Sequence, residues 1–265
     1  SVVFIAWLWS PDALALVPQR VWNNMTQYLL AAIPLFIFMA SMLEKSGVIE
    51  EVFDVAYKWL GRIPGGLAVA TVVASTVLAA MVGVIGAAVV TMALVALPSM
   101  LRRGYSPVLA VGTVMAGGTL GILIPPSVLA IVYGLVANQS VGELYLGSVF
   151  PGLVLSGLYI LFSVGYALLN PKAAPRLSPE ETPTWSERWR ALRSIWSPLV
   201  LIFLVLGTIF LGLAAPTEAA AIGAFGAMVV AAIHRRLSWT ILRLALEQTA
   251  KATAMVMWIV FGANA

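Results

Sequence analysis

Five long stretches of this 265-residue sequence contain no Asp, Glu, Lys or Arg. They cover residues 21–43, 63–101, 104–142, 144–171 and 194–217. A helix needs roughly 20 apolar residues to cross a bilayer, and each stretch is long enough for that. Only 10% of all residues are charged and 61% are hydrophobic, whereas a soluble domain has about 25% charged residues. The sequence therefore predicts an all-α polytopic membrane protein.

The basic residues indicate how the chain is threaded through the membrane. If residues 66–101 form a hairpin, every Lys and Arg except Arg20 falls in loops on one side. A single crossing through 66–101 would distribute the basic residues less unevenly. Because cytoplasmic loops are rich in Lys and Arg, the hairpin is favoured. The net charge of +4 then reflects membrane topology, and nucleic-acid binding is not expected. The predicted cytoplasmic loops are 44–64, 102–106, 170–193 and 234–251.

The middle of the predicted hairpin reads MVGVIGAAV. Gly83 and Gly86 permit a tight turn there, because glycine adopts backbone angles that other residues avoid. Each arm is then at or below the length of a full crossing. These lengths favour a re-entrant hairpin, in which two short helices enter the membrane and return to the same side.

The segment before the hairpin alternates between two faces at helical spacing. Glu50, Glu51, Asp54 and Lys58 fall on one face, and the pattern is typical of an amphipathic helix lying in the membrane interface. The residues of the apolar face are Val48, Ile49, Val52, Phe53, Ala56, Trp59 and Leu60.

The sequence GGTLGILIPPS at 117–127 interrupts a predicted crossing. Proline lacks an amide donor and clashes with the preceding helical turn, so Pro125 and Pro126 break the helix. Each half is too short to span the membrane, which puts the break at membrane depth. Irregular backbone is tolerated there only where it is buried in protein or lines a cavity. Such breaks form cation and anion sites in secondary transporters, and the hairpin tip at 83–87 would add further free backbone groups.

Other chemistry has little support in the sequence. There is no Cys, no nucleotide-binding or hydrolase motif, and no pair of carboxylates within the uncharged stretches, so an enzyme is not expected. His234 lies beside two arginines and is interpreted as a cytoplasmic topology marker. Glu218 follows a proline at a helix start and is interpreted as a helix cap. Thr184 and Glu187 have capping-box spacing, which predicts a short helix in the polar linker.

These motifs together resemble a known transporter family. GGTLGILIPPSVLAIVYG is preceded by LPSMLRRGYSP and followed by SVGELYLGSVFPGL, while IPLFIFMASMLEKSG, GRIPGGLA and APTEAAAIGAFGA occur elsewhere. The set is similar to the large membrane subunit of tripartite ATP-independent periplasmic (TRAP) transporters over nearly the whole chain. The form VGVIGAAVVTMALVALPSMLRRGY resembles the branch labelled mannitol/chloroaromatic-compound transport.

The resemblance implies a sodium-driven elevator transporter of the bacterial inner membrane, with an inverted-repeat fold. Its partners would be a small membrane subunit and a periplasmic solute-binding protein. Its substrate would be a small organic acid or related solute, with sodium as coupling ion and no other cofactor. The implied segments are scaffold helices at 1–43, an interfacial arm at 44–65, a re-entrant hairpin at 66–105, a broken helix at 106–143, a membrane helix at 144–169, a cytoplasmic linker at 170–193 and the start of a second repeat at 194–265.

The resemblance also implies an ion and substrate site at the tip and the break. Many family members have a serine-rich tip where this chain has VGVIGA, so backbone carbonyls near Gly83, Gly86 and Pro125 are the expected Na⁺ ligands. The implied tip residues are Gly83, Val84, Ile85, Gly86 and Ala87. The implied break residues are Gly117, Gly118, Thr119, Gly121, Pro125, Pro126 and Ser127.

The inverted repeat gives one expectation about completeness. FGANA at 261–265 takes the position of MASML at 39–43, so the second arm, hairpin and broken helix would be absent. With the second repeat truncated in this way, these residues alone are not expected to transport. Two alternatives remain open at this point: another elevator-type anion:sodium symporter without a binding protein, and a non-transporting membrane scaffold.

Overall fold

A computed structural model describes residues 16–83, 85–175 and 183–264. Predictions that concern residues 1–15, Val84, residues 176–182 or Ala265 lie outside the described residues. The described residues form α-helices, with a short 3₁₀ turn at Tyr28–Ala31. The helices are α1 Leu16–Met25, α2 Ala32–Lys45, α3 Val48–Leu60, α4 Gly66–Val82, α5 Ile85–Arg102, α6 Pro107–Leu123, α7 Val128–Ala137, α8 Val141–Leu169, α9 Trp185–Ser194, α10 Trp196–Phe210, α11 Pro216–Ile233 and α12 Trp239–Asn264.

Four helical segments of the described chain are long and apolar enough to cross a membrane. The stretches Gly66–Val82 in α4 and Ala88–Arg102 in α5 are apolar but shorter, and α9 and α10 meet at a bend of 47°. An all-α polytopic membrane protein, as the uncharged stretches predict, is therefore confirmed. The four segments are Tyr28–Lys45, Pro107–Ala137 taken across its break, Val141–Leu169 and Pro216–Ile233.

Helices α2, α10, α11 and α12 form one group, called here the scaffold group. Helix α2 packs against α11 and α12, and α10 packs against α11. Small residues allow these helices to approach closely. A Cβ added at Gly223 would lie 2.7 Å from the Met39 sulfur, and Gly226 accommodates the side chain of Leu201.

Helices α4 to α7 form a second group, called here the hairpin unit. Helices α4 and α5 both pack against α6. The two ends of the hairpin meet, since the Leu67 amide donates to the Tyr105 hydroxyl at 3.2 Å and the Thr71 hydroxyl lies 3.7 Å from the Met100 sulfur. Residues 66–102 therefore leave and return at the same end and do not make a single crossing. Burial raises the pKa of Tyr105, so its hydroxyl stays protonated.

The apolar face of the amphipathic helix α3 is covered by protein. Its apolar residues, among them Val48, Ile49, Val52 and Phe53, are buried. Helix α3 packs against α4, with further contacts to α9 and α5. The position of α3 in the membrane interface stays a prediction. The period of the pattern indicates an amphipathic helix without indicating what covers its apolar face.

The four predicted cytoplasmic loops meet around α3. Glu51 is paired with His234 at 3.2 Å and with Arg236 at 3.4 Å. The Trp59 indole donates to the Arg188 carbonyl at 3.3 Å. At the end of the hairpin, the Ser106 amide donates to the Ala173 carbonyl at 2.9 Å, which joins two more of these loops. Contact among all four loops is the arrangement expected if they share one side of the membrane.

Candidate functional site

The hairpin turns at Gly83. Helix α4 ends at Val82, α5 begins at Ile85, and Gly83 has a φ of +60°, in the left-handed region that glycine tolerates best. Gly86 lies one residue inside α5, with open space around its Cβ position, and it does not form the turn. The prediction that Gly86 helps to make the turn was therefore wrong, because Gly86 is already part of helix α5.

The break between α6 and α7 covers residues 124–127. Ile124 and Ser127 are extended, and the Pro125–Pro126 peptide bond is cis. A proline side chain on the backbone nitrogen removes the amide donors of Pro125 and Pro126, so the helix cannot continue through them. Among the described residues, none donates a hydrogen bond to the Pro126 carbonyl. The break therefore presents an unpaired backbone acceptor.

The turn and the break touch each other. A Cβ added at Gly83 would meet the Pro126 carbonyl oxygen directly, and it would lie 3.6 Å from the Ser127 Cα. Only a residue without a side chain fits there. The structure thus brings Gly83, Pro126 and Ser127 together, from segments more than forty positions apart in the sequence.

The glycines of α6 allow both arms of the hairpin to pack closely against this helix. A Cβ at Gly117 would lie 2.7 Å from the Ser75 Cβ on α4. At the next position, Gly118, it would lie 3.2 Å from the Val89 Cβ on α5. Gly121 is buried one turn further along. Adjacent glycines therefore receive the two arms, and α6 packs in the angle between them.

Two buried hydroxyls in the hairpin unit have no hydrogen-bond partner among the described residues. Ser127, at the break, is 1% exposed, and Ser75, opposite Gly117, is 2% exposed. A buried hydroxyl without a partner costs free energy and calls for an explanation such as a bound ion or water. Ser127 follows Pro126 directly in the chain, so two neutral oxygens without a partner among the described residues belong to consecutive residues of the break.

Two predicted site residues lie away from this contact. The Thr119 hydroxyl donates to the Ala116 carbonyl at 2.7 Å and lies 3.3 Å from the Tyr159 hydroxyl on α8. Ile85 is exposed at the start of α5, as is Gly86. Val84 is outside the described residues, and the side chain of Ala87 is not described. The contact therefore consists of Gly83, Pro126 and Ser127, with Pro125 beside them.

Tyr145 supports the break and is absent from the sequence prediction. Its side chain, at the start of α8, is fully buried, and its hydroxyl donates to the Ser127 carbonyl at 3.2 Å. This bond ties the first turn of α7 to α8. A single tyrosine at the start of an apolar helix carries no sequence signal for such a role.

The chemistry available at this contact is that of neutral oxygens. No group of three or more His, Cys, Asp or Glu side chains in the described chain could hold a metal ion. Carbonyl and hydroxyl oxygens suit hard cations, and the N-terminus of a broken helix favours an anion. Helix α7 begins at Val128, directly after the break, and provides such an N-terminus.

Comparison with known proteins gives a consistent result. The family model described as "Tripartite ATP-independent periplasmic transporter, DctM component" matches residues 1–265. The C4-dicarboxylate TRAP transporter large permease protein DctM of Pseudomonas aeruginosa is 35% identical, over 97% of this chain and 59% of its own length. Its namesake from Vibrio cholerae is 37% identical, over 87% and 50% respectively.

A relative that is named for another substrate has a similar level of identity. The ectoine/5-hydroxyectoine TRAP transporter large permease protein UehC of Ruegeria pomeroyi is 32% identical, over 88% of this chain and 52% of its own length. The chain thus spans about half the length of the curated relatives that it matches. These relatives are named as transporter permeases and not as enzymes. Together with the helical fold, the match over the whole chain shows that the chain belongs to the family of the DctM component, the large permease protein, of tripartite ATP-independent periplasmic transporters.

Proposed function

We propose that this chain acts in the large permease subunit of a binding-protein-dependent secondary transporter in the bacterial inner membrane. Its partners are a small membrane subunit and a periplasmic solute-binding protein. The substrate is a small organic acid or related solute, since the relatives above are named for C4-dicarboxylates and ectoines. Sodium is the coupling ion.

One observation carries this proposal: the turn at Gly83 lies against the Pro126 carbonyl at the break. Two helix interruptions that meet inside an apolar helical protein place free backbone groups at one point. Transporters bind ions and solutes in such places, because backbone dipoles replace the water that the ligand loses.

Sodium is favoured by the kind of oxygen at the contact. The Pro126 carbonyl and the Ser127 hydroxyl are neutral and lack partners among the described residues. Neutral oxygens suit a hard monovalent cation better than a transition metal, which prefers imidazole or thiolate ligands. An anionic solute would be favoured at the α7 N-terminus, next to the cation.

The elevator mechanism is supported by how α3 is connected. On one side α3 packs against α4 of the hairpin unit. On the other side Glu51 of α3 is paired with His234 and Arg236, which follow α11 of the scaffold group. We infer that the hairpin unit moves as a body while α3 links it to the scaffold group.

The test uses the complete permease with its two partner proteins, reconstituted in liposomes. Changing Pro125→Ala together with Pro126→Ala restores two amide donors at the break. We expect sodium-dependent uptake to fall steeply while the protein still folds. Pro151→Ala is the matched control, because Pro151 lies inside the continuous helix α8. Uptake with unchanged sodium dependence in the double variant would contradict the site, and absence of any solute-dependent sodium flux in the unaltered complex would favour a scaffold.

A further inference from the structure

A cavity with several polar and charged residues in its lining lies at the bend between α9 and α10, outside the hairpin unit. Its volume is about 490 Å³. It is at the cytoplasmic end of α10, where the polar linker meets the membrane crossing. Its lining residues include Arg193, Ser194, Trp196, Ser197, Ile233 and His234.

The charges around this cavity leave one cation without a counter-charge. Glu51 is the carboxylate that lines it; its Oε1 accepts a hydrogen bond from Arg236 at 3.4 Å, while its Oε2 lies 3.2 Å from His234 Nδ1 and has no hydrogen-bond partner among the described residues. The other ring nitrogen of His234 lies 2.9 Å from the Ser197 hydroxyl. Arg193 has no ion-pair or hydrogen-bond partner among the described residues, so the cavity is complementary to an anion.

The rim of the cavity is apolar. Trp196 is 67% exposed and Ile233 is 63% exposed. Tryptophan is enriched where a membrane protein crosses the boundary between headgroups and acyl chains. Large exposed side chains continue from this rim along both crossings, with Val200 and Phe203 on α10 and Val229 on α11. An anion-binding cavity is thus continuous with a surface suited to hydrocarbon.

We propose that the cavity binds an anionic phospholipid of the cytoplasmic leaflet. The Arg193 guanidinium pairs with the lipid phosphate. Trp196 lies at the level of the glycerol backbone, and the acyl chains run along α10 and α11. A soluble phosphate would satisfy Arg193 and leave the apolar rim uncovered, so the lipid is the occupant that fits both features. This site is independent of the transport proposal.

The experiment measures lipid retention by the purified complete permease with native mass spectrometry. The protein is exchanged from detergent into mixed micelles of phosphatidylcholine and phosphatidylglycerol, and the bound fraction of each lipid is counted. We expect phosphatidylglycerol to be retained in preference to phosphatidylcholine. Arg193→Gln should reduce this retention about fivefold, the usual contribution of one basic residue near an anionic membrane surface.

Arg190→Gln is the matched control. Arg190 is exposed on the same helix and carries the same charge, but it does not line the cavity. Retention that falls equally in both variants would mean general electrostatic attraction and would overturn the site. Inorganic phosphate is added in a parallel series, and full displacement of the lipid by phosphate alone would assign the cavity to a soluble anion instead. No preference for phosphatidylglycerol in the unaltered protein would also overturn the proposal. Because Arg193 is exposed, its replacement is not expected to impair folding.

Discussion

The hairpin unit and the scaffold group are both built from apolar helices, yet they use glycine in opposite ways. In the scaffold group, Gly223 and Gly226 make room for the flexible side chains of Met39 and Leu201. In the hairpin unit, Gly83 makes room for a backbone carbonyl and Gly117 for the base of a short side chain. The first arrangement can relax when it is crowded and the second cannot. The site that we propose for ion binding lies at interruptions of the backbone, where small displacements cannot be absorbed.

Gly83→Ala is the most stringent test of this difference between the two groups, and it has the largest expected effect. The new Cβ would clash with the Pro126 carbonyl and would place a non-glycine residue at a φ of +60°. We expect a loss of about 3 kcal/mol in the free energy of unfolding, from left-handed strain and overpacking together. Sodium-dependent uptake by the complete permease should be lost as well.

Gly86→Ala is the control for that variant, since Gly86 has helical geometry and open space around its Cβ position. It should unfold at the same denaturant concentration as the unaltered protein, or a higher one, because alanine favours helix more than glycine does. Equal losses in the two variants would mean that the contact between turn and break has no special rigidity.

The second variant compares the two groups directly. Gly117→Ala brings a Cβ to 2.7 Å from the Ser75 Cβ, so α4 and α6 must move apart, which costs about 2 kcal/mol. Gly223→Ala meets the Met39 sulfur at the same distance, but methionine adapts, and the cost should stay below about 1 kcal/mol. Denaturant unfolding monitored by tryptophan fluorescence measures both. A larger loss for Gly223→Ala would reverse the comparison.

The third variant tests support of the break by α8. Tyr145→Phe keeps the ring and removes the hydroxyl that donates to the Ser127 carbonyl, at a cost of about 1 kcal/mol. The Michaelis constant for sodium should rise, because the break is less firmly held. Tyr159→Phe serves as the control, since its hydroxyl contacts the exposed Thr119 hydroxyl instead. A Tyr145→Phe protein with unchanged sodium dependence would limit Tyr145 to packing.

The smallest effect concerns the cap of α9, outside both groups. The Thr184 amide and hydroxyl donate to the Glu187 carboxylate and lower the pKa of Glu187 below its usual value of 4.5. A carboxyl group with a lowered pKa stabilises the folded state above the unfolded pKa, and this contribution is lost as the pH falls through the folded pKa. The protection of the amides at the start of α9, measured as the exchange rate relative to the intrinsic rate at each pH, should therefore fall only in acid. Thr184→Ala should lower this protection at neutral pH too, and full protection in that variant would rule out the cap as its cause.

The helix interruptions were the structural features that the sequence predicted best. A glycine in the middle of an over-long apolar stretch and two adjacent prolines each have a local physical consequence, so the turn at Gly83 and the break at 124–127 could be predicted. The helical position of Gly86 could not be predicted, because the sequence does not indicate which of the two glycines adopts a positive φ.

Contacts between distant segments were harder to predict. That Tyr145 would reach the Ser127 carbonyl depends on the packing of α8 against α7, which no local pattern specifies. The sequence predicted the apolar face of α3. It could not predict that α4 covers this face, because a face that contacts lipid and a face that contacts protein have the same apolar residues. Thr119 was placed at the site by its position in the motif, while the helical geometry directs its hydroxyl to α8.

The most direct test of the central claim is a density map of the complete permease prepared in sodium and, separately, in choline. We expect a compact density beside the Pro126 carbonyl in sodium only, with the Ser127 hydroxyl turned toward it. Identical maps in the two salts, or a Pro126 carbonyl hydrogen-bonded to a backbone amide in both, would contradict the claim that this contact binds the coupling ion.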